Sequence, residues 1–343
     1  MDILNNAIIT NDCIRASVDV SEEELQNFSV ENGDMLFQRS SETLEDVGRA
    51  NVYMDDKPAV FGGFVIRGKK KAEYNPLFFR YLLASPFARK KIIPMGAGAQ
   101  HFNIGQEGLS KVKLNFASLG EQNKIAKLML AIDERISTQN KIIEDLKKLK
   151  CAIIEKLYAE VKGTKYFYRQ LFNIINERNK QLEYSNVLSA SQEKGMVSRD
   201  DLNLDIQFER SNINTYKIVR NGDYVIHLRS FQGGFAFSEK TGVCSPAYTI
   251  LRPNGLLVYG YLSNYFTSRD FVKSLIIVTY GIRDGRSINV DEWLNMKVII
   301  PSKEQQTHIV NVIESIENKI KNEETYLNCL TNQKQYLLRQ MFI

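Results

Sequence analysis

The chain has 343 residues, of which 43% are hydrophobic and 25% are charged. This length and balance are typical of one or two globular domains and argue against a disordered chain. No apolar run approaches the ~20 residues that span a bilayer. The first residues, MDILNNAIIT, lack the basic flank of a secretory signal.

Cysteine and histidine usage narrows the class of protein further. The cysteines are Cys13, Cys151, Cys244 and Cys329, and they form no CxxC pair. The three histidines are scattered and form no metal constellation. We therefore expect reduced thiols, a cytoplasmic protein and no metal site.

Residues 1–117 mix strand and helix signals. GDMLFQRS and GGFVIRG are short runs of β-forming residues, and the first is entered through a Gly-Asp turn. NPLFFRYLLASPFARKKI carries apolar residues at helical spacing, and KVKLNF predicts a closing strand. The pattern predicts a first α+β domain over residues 1–117.

Residues 118–161 predict a long helix, because apolar residues recur there at heptad spacing. The side chains expected in its seam are Ile125, Ile132, Ile136, Leu146 and Ile153. Leu128, Ile142 and Leu149, with Met129, Ile136, Ile143 and Leu157, are expected to widen this apolar stripe.

The chain then repeats itself. One constant shift along the sequence aligns Ile66 with Ile250, Tyr81 with Tyr265, Gln122 with Gln306 and Ile132 with Ile316. A slightly larger shift aligns the earlier Asn32-Gly33-Asp34 with Asn221-Gly222-Asp223. The repeat predicts a second domain over residues 162–301, closed by the strand MKVIIP, and a second helix over residues 302–343. Since residue 1 aligns with about residue 190, the second domain opens with about 28 residues that the first lacks.

A heptad stripe of this length needs a partner helix. The seam positions of the second helix are Ile309, Ile316, Ile320, Leu330 and Leu337. We predict an α+β protein with two domains in tandem pseudo-repeat, in which the two long helices form an antiparallel coiled coil. Two independent core helices are the alternative.

Motifs for catalysis are not found in the sequence. Asn75-Pro76-Leu77-Phe78 resembles the N-P-P-[YF] loop of adenine methyltransferases, but the second proline and a Gly-rich cofactor loop are missing. Asn75 as a helix N-cap and Pro76 as the first helical residue explain the motif more simply. With no GxxxxGK[ST] loop and no nuclease-type acidic cluster, the chain is predicted not to be an enzyme.

Basic and polar loops favour nucleic-acid recognition instead. Residues 67–91 contain eight Lys and Arg against one acid, and residues 220–286 contain eight against four. Arg, Gln, Ser and His side chains can contact base edges, and Lys and Arg bind phosphates.

The candidate DNA-binding residues fall into two groups. Candidate base contacts are Gln38, Arg39, Ser40, Gln100 and His101 in the first copy, and His227, Arg229, Ser230, Gln232, Arg283 and Arg286 in the second. Candidate phosphate contacts are Lys69, Lys70, Lys71, Arg89, Lys90 and Lys91. A solvated loop side chain is the alternative at each position.

Two α+β domains alternating with two repeated helices resemble the specificity subunit of type I restriction–modification systems. The openings of the helices carry the resemblance: Glu121-Gln122 in the first, and Gln305-Gln306 after Pro301-Ser302 in the second. The resemblance covers nearly the whole chain. It implies a non-catalytic subunit that binds double-stranded DNA, with one half of a bipartite target recognised by each domain and the spacing set by the helices.

The resemblance also implies partners. Two methyltransferase subunits would dock on the helices, and restriction subunits could join the complex. S-adenosylmethionine, ATP and Mg²⁺ would belong to those partners, and no cofactor to this chain.

Two alternatives stay open at this point. A silent or truncated recombination copy of such a subunit would keep the helices yet support no methylation. A coiled-coil assembly protein without DNA binding would tolerate charge reversal at Lys69–Lys71 and Arg89–Lys91.

Overall fold

The computed structural model describes residues 2–191, 194–199, 210–227, 234–280 and 287–342. Contacts divide the chain into two compact units. Unit 1 is Met1–Ile142 with Glu323–Ile343, and unit 2 is Ile143–Asn322. Each unit therefore combines one globular part with a segment of each long helix. The predicted domain boundaries stay a prediction.

Short helices and strands build the globular part of unit 1. Its helices are α1 (Asp2–Asn5), α2 (Glu22–Phe28), α3 (Pro76–Ala84), α4 (Pro86–Ile92) and α5 (Gln106–Ser110). Its strands are β1 (Ser29–Val30), β2 (Met35–Gln38), β3 (Ser40–Ser41), β4 (Ala50–Val52), β5 (Ala59–Val60), β6 (Val65–Gly68) and β7 (Phe102–Asn103). An antiparallel sheet has the order β4-β2-β6, while β1 pairs with β5 and β3 with β7. Its core packs between this sheet, α3 and α4.

The long helix α6 (Leu119–Ala159) leads to unit 2 and is followed by a larger set of strands. The strands are β8 (Thr164–Phe167), β9 (Phe172–Ile175), β10 (Leu188–Ser191), β11 (Gly195–Ser198), β12 (Lys217–Val219), β13 (Tyr224–Ile226), β14 (Phe235–Phe237), β15 (Gly242–Cys244), β16 (Thr249–Pro253), β17 (Thr279–Tyr280), β18 (Ser287–Ile288) and β19 (Lys297–Ile300). The helices are α7 (Tyr168–Leu171), α8 (Arg269–Ser274), α9 (Val290–Leu294) and the long α10 (Lys303–Gln340). An antiparallel sheet has the order β14-β13-β16-β9, and β19 pairs with β8.

The segments of α6 and α10 within unit 1 run antiparallel. Lys334 Nζ lies 2.5 Å from Asp133 Oδ1. Further along α6, Gln139 Nε2 donates to Glu323 Oε2 at 2.5 Å. As residue numbers rise along α6 they fall along α10, which defines the direction of the pair.

The segments within unit 2 pair in the same sense. Lys150 Nζ lies 2.5 Å from Glu317 Oε1. Four residues later in α6, Ile154 shares a core cluster with Ile309 and Ile313 of α10. The predicted α+β class and the antiparallel pairing of the long helices are confirmed.

The two ion pairs occupy equivalent positions of the repeat. The repeat aligns Asp133 with Glu317, and it aligns Lys150 with Lys334. In unit 1 the acidic residue lies on α6 and the lysine on α10. In unit 2 the lysine lies on α6 and the acidic residue on α10.

The apolar stripe of α6 is narrower than the sequence suggests. Ile132 is only 6% exposed, and every predicted seam side chain of both helices is buried or half-buried. Which of them touch the opposite helix stays a prediction. Leu128, Ile142 and Leu149 are exposed, so the expectation that they widen the stripe is wrong. They lie at the exposed border of the buried stripe.

The Asn-Gly-Asp turn takes one conformation in both copies. Gly33 has φ +90° and Gly222 has φ +93°, the left-handed region that glycine adopts at no steric cost. The following carboxylate closes each turn, because Asp34 accepts from the Glu31 amide at 2.8 Å and Asp223 accepts from an amide at 2.9 Å. The predicted Gly-Asp turns are therefore confirmed.

The same carboxylates each bind an arginine from a neighbouring strand. Arg67 Nε donates to Asp34 at 2.6 Å, and Arg252 Nε donates to Asp223 at 2.8 Å. Both aspartates are buried, and a buried carboxylate needs such a partner.

A glutamine fixes the start of each long helix. Gln122 Oε1 accepts from the Asn75 amide at 3.0 Å, and its Nε2 donates to a carbonyl five residues earlier at 2.8 Å. Gln306 Oε1 accepts from the Val258 amide at 2.8 Å, and its Nε2 donates to a carbonyl five residues earlier at 3.0 Å. The second residue of each Glu-Gln-like signature is thus a buried tie between helix and globular part.

Gln306→Ala should lower the free energy of unfolding by about 1–3 kcal/mol, because it leaves buried backbone groups without partners. Urea denaturation of the full chain followed by circular dichroism measures this loss. Gln305→Ala is the control, since Gln305 is exposed, and it should change stability by less than about 0.5 kcal/mol. Equal effects of the two substitutions would contradict the role given to Gln306.

Two sequence predictions in the first copy are wrong. The helix predicted from NPLFFRYLLASPFARKKI is broken at Ser85, whose ψ is 151°. Pro86 disfavours the helical region for the residue before it and begins α4. KVKLNF forms no strand, whereas MKVIIP contains β19. The predicted cap is confirmed, with Asn75 accepting from the Phe78 amide at 2.9 Å.

Candidate nucleic-acid interface

The two predicted recognition loops of the first copy meet at one edge of unit 1. β3, beginning at Ser40, pairs antiparallel with β7, ending at Asn103. The Ser40 hydroxyl is hydrogen-bonded to Asn103 Oδ1, and the Arg39 carbonyl accepts from the Ile104 amide at 2.9 Å. These bonds bring Gln38–Ser40 next to the loop that carries the exposed Gln100 and His101.

Arg39 is the best-placed base-contact candidate in this edge. Its side chain is exposed, and its one described hydrogen bond is a long one of 3.4 Å to the Gly63 carbonyl. Little desolvation or rearrangement is therefore needed for its guanidinium to meet a base edge or a phosphate.

Gln38 plays a different part from its neighbour. Its Nε2 donates to the Ser40 carbonyl at 2.8 Å, which holds the loop. Its Oε1 is buried and accepts no hydrogen bond from the described residues. Gln38 also borders a cavity of about 290 Å³, together with Ser40 and Phe64. An acceptor of this kind suits a donor brought by a ligand.

A third loop joins the edge and was missed by the sequence reasoning. The Arg39 amide donates to the Phe64 carbonyl at 2.9 Å, and the Phe64 side chain is 77% exposed. The signal was available as a Gly62-Gly63 pair followed by an aromatic residue. The sequence pattern alone assigns this pair to a strand.

The lysine turn Lys69–Lys71 follows β6 and is exposed. Lys69 Nζ lies 2.9 Å from Glu31, and this hydrogen bond, with one from Arg67, lowers the pKa of Glu31. Exposed lysines of this kind can bind phosphate through charge alone.

In the second basic cluster, Arg89–Lys91, two of the three side chains already bind other groups of the protein. Arg89 Nη2 donates to the carbonyls of Glu45 and Val47 at 2.8 and 2.7 Å, and burial lowers the pKa of Arg89. Lys91 Nζ donates to a carbonyl at 2.9 Å and lies 4.3 Å from an aromatic ring centroid. Lys90 is exposed. Lys90 is therefore the best phosphate candidate of the three, and Arg89 holds the loop of Glu45 and Val47 against α4.

In the second copy, His227 follows β13. Its amide donates to the Gly234 carbonyl at 2.8 Å, and its ring lies 6.1 Å from that of Tyr248. Burial lowers the pKa of His227, which favours the neutral imidazole. Arg229, Ser230, Gln232, Arg283 and Arg286 lie outside the described residues.

Within the described ranges, no group of three or more His, Cys, Asp and Glu side chains is arranged to bind a metal. In that same part of the chain, no helix is long and apolar enough to cross a membrane. The two recognition loops of unit 1 are the feature best suited to a ligand.

The first part of the chain matches a known family. Residues 1–148 match the model described as the type I restriction modification DNA specificity domain. A curated relative from Methanocaldococcus jannaschii, described as the specificity subunit of the type I restriction enzyme MjaX, is 28% identical over 146 residues, or 41% of this chain. The match spans 34% of that relative, about a third of its length.

Solved structures share the fold over most of the chain. The S subunit of a type I restriction-modification system from M. genitalium is 14% identical, with a TM-score of 0.50 over 92% of this chain and 84% of its own. The HsdS subunit from Thermoanaerobacter tengcongensis is 15% identical, with a TM-score of 0.53 over 91% and 81%. A chain from a structure concerning complex assembly and conformational transition of the type I R-M system is 15% identical, with a TM-score of 0.58 over 90% and 81%. At these identities the likeness establishes the fold.

Proposed function

We propose, from the match of residues 1–148 to the type I restriction modification DNA specificity domain, that the whole chain is the DNA-recognising subunit of a type I restriction–modification complex. Each globular part contacts one half of a bipartite target. The paired long helices set the distance between the halves and dock the methyltransferase subunits. The chain itself carries out no chemistry.

One observation carries the proposal: the buried residues that hold each globular part together recur in both copies, whereas the residues at the strand ends differ. The buried Asp–Arg pair and the helix-opening glutamine recur in both units with closely similar hydrogen bonds. The residues at the corresponding strand ends differ, with Gln38-Arg39-Ser40 in one copy and His227 in the other. A common frame with different contact residues is what recognition of two unlike half-sites requires.

Arg39→Ala should change one half of the recognised sequence while leaving the fold intact. The side chain is exposed and weakly held, so stability should change by less than about 0.5 kcal/mol. Loss of one good base contact costs about 1–3 kcal/mol of discrimination. Methylome sequencing of cells that carry the variant measures the motif, and thermal melting measures the fold.

Arg89→Ala is the matched control. It removes the same kind of side chain from a position where the guanidinium binds two backbone carbonyls. We expect a lower melting temperature and no change in the recognised bases. An unchanged methylation motif in cells with Arg39→Ala, together with an altered motif in cells with Arg89→Ala, would refute the assignment of Arg39.

Mapping of adenine methylation in cells with and without the gene tests the proposed function as a whole. Loss of one split motif on deletion is the expected result. A chain that binds methyltransferase but supports no modified motif would instead be an inactive recombination copy. The S-adenosylmethionine of the reaction is bound by the partner, so purified chain alone should methylate no DNA.

A further inference from the structure

A cavity of about 270 Å³ in unit 1 is bordered by cationic side chains, and we name it the cation cavity. Its cations are Arg49, Arg80, Arg89 and Lys334. No acidic residue is among the described residues that border it. Like charges gathered around one space repel each other, so the arrangement is favourable only where anions offset them.

Two of the four cations share one carboxylate. Lys334 Nζ lies 2.5 Å from Asp133 Oδ1, and Arg80 Nη1 lies 3.5 Å from Asp133 Oδ2. The Tyr81 hydroxyl also donates to Asp133, at 2.8 Å. Burial raises the pKa of Tyr81, so its hydroxyl stays neutral and adds no negative charge. A single negative charge therefore offsets this pair of cations.

Arg89 has hydrogen bonds to backbone groups but no carboxylate partner among the described residues. Its Nη2 donates to two carbonyls, while its Nη1 is buried and makes no hydrogen bond with the described residues. Burial and the nearby charge of Arg49 lower the pKa of Arg89. A buried guanidinium nitrogen without an acceptor costs free energy until a ligand supplies one.

The ion pairs give the charge of the cation cavity. Arg49 lies 2.6 Å from Asp46, so the four cations meet two carboxylates, Asp46 and Asp133, and two positive charges remain in excess. A water molecule can accept from Arg89 Nη1, but it offsets no charge. A phosphate monoester does both near neutral pH, because its second pKa is about 6 and its oxygens are strong acceptors.

The second copy lacks this cluster of cations. The shift that relates the copies places Asn264 at the position of Arg80 and Lys273 at that of Arg89. Lys273 is exposed. The cation cavity is therefore not part of the repeated frame, and its charges serve a role that belongs to unit 1.

We propose that the cation cavity binds the terminal phosphate of a small phosphorylated molecule as a dianion. The phosphate oxygens accept from Arg89 Nη1 and from Arg49, while the organic body of the ligand lies against the apolar residues of the border, Ile3, Leu4 and Leu338. A cavity of about 270 Å³ has room for both parts, since the share of one water molecule in the liquid is about 30 Å³.

Duplex DNA suits the cation cavity less well than a small ligand does. Its phosphates lie on a convex surface, and each is a diester with one negative charge. A terminal phosphate carries two charges and can enter a concave site. The proposal is independent of DNA recognition.

Calorimetric titration of three probes into the full chain at low salt tests the proposal. Phenyl phosphate carries a dianion and an apolar ring, and we expect it to bind one-to-one. Methyl phenyl phosphate keeps the ring but has one charge, so it should bind at least about tenfold more weakly. Inorganic phosphate lacks the ring and should bind more weakly than phenyl phosphate.

Two protein variants with the same chemical change locate the binding site. Arg49→Gln should weaken phenyl phosphate about tenfold, because it removes a charge-assisted hydrogen bond. Arg135→Gln removes an arginine from α6 that does not border the cavity, and it should leave the affinity unchanged. Both side chains are exposed, so both variants should fold, which thermal melting checks.

Three results would overturn the proposal. The first is absence of phenyl phosphate binding up to about 1 mM, or binding that Arg49→Gln does not weaken. The second is equal affinity for the diester, which would show that no dianion site exists. The third is displacement of phenyl phosphate by duplex DNA, which would assign the cations to the nucleic-acid backbone. These titrations need no methyltransferase, so their outcome is separate from that of the methylation experiments.

Discussion

Ile132→Asp should destabilise unit 1 by about 3–5 kcal/mol, because it places an ionised carboxylate at a buried position of α6. For a unit of this size the loss corresponds to a fall in melting temperature of roughly 10 °C. Differential scanning calorimetry of the full chain measures it. We expect the transition of unit 1 to move while that of unit 2 stays closer to its original temperature.

Leu128→Asp is the control on the same helix. Leu128 is 44% exposed, so the new carboxylate stays hydrated and the expected cost is within about 0.5 kcal/mol. Sequence periodicity treats both residues as parts of one stripe, so the comparison also tests which face of α6 is buried. Equal melting temperatures for the two variants would show that Ile132 is not packed as described.

Asp34→Ala should cost a similar amount, about 3–5 kcal/mol, because it leaves the Arg67 guanidinium without its buried partner. The two side chains are only 5% and 9% exposed, and Arg67 Nε lies 2.6 Å from the carboxylate. The substitution also removes the acceptor of the Glu31 amide in the turn. Urea denaturation measures the free energy of unfolding.

The repeat supplies an internal comparison for this second prediction. Asp223→Ala breaks the equivalent pair in unit 2, where the Arg252 side chain is 30% exposed, so water compensates the arginine and the loss should be smaller. Adding Arg67→Met to Asp34→Ala should recover part of the stability, since the uncompensated charge is removed. A double variant less stable than Asp34→Ala alone would refute this account.

The candidate edge formed by β3 and β7 could be predicted residue by residue but not as an assembly. The sequence singles out Gln38–Ser40 and Gln100–His101 from their polar character and their place between apolar runs. It does not indicate that β3 and β7 pair and bring them together. Strand pairing between segments so far apart in the chain depends on the whole core, which local pattern does not encode.

The sequence also fails to distinguish the roles of Arg39 and Arg89. Both are arginines in basic or polar stretches, and the sequence treats them alike. The Arg89 guanidinium is already hydrogen-bonded, because the loop containing Glu45 and Val47 lies against α4 and its carbonyls accept from Nη2. Only tertiary contacts decide which charged side chains stay available to a ligand.

The sequence by itself determined the periodic and repeated features of the protein. These are two α+β parts, two long heptad helices, and the turn at Asp34 that recurs at Asp223. These follow from local rules, since helix period, glycine conformation and proline geometry act over a few residues. The tertiary structure alone decided that KVKLNF forms no strand although its repeat MKVIIP does, because a strand exists only where a second edge is present to bond it. In unit 2 that edge is β8, and among the described residues of unit 1 no strand pairs with residues 111–118.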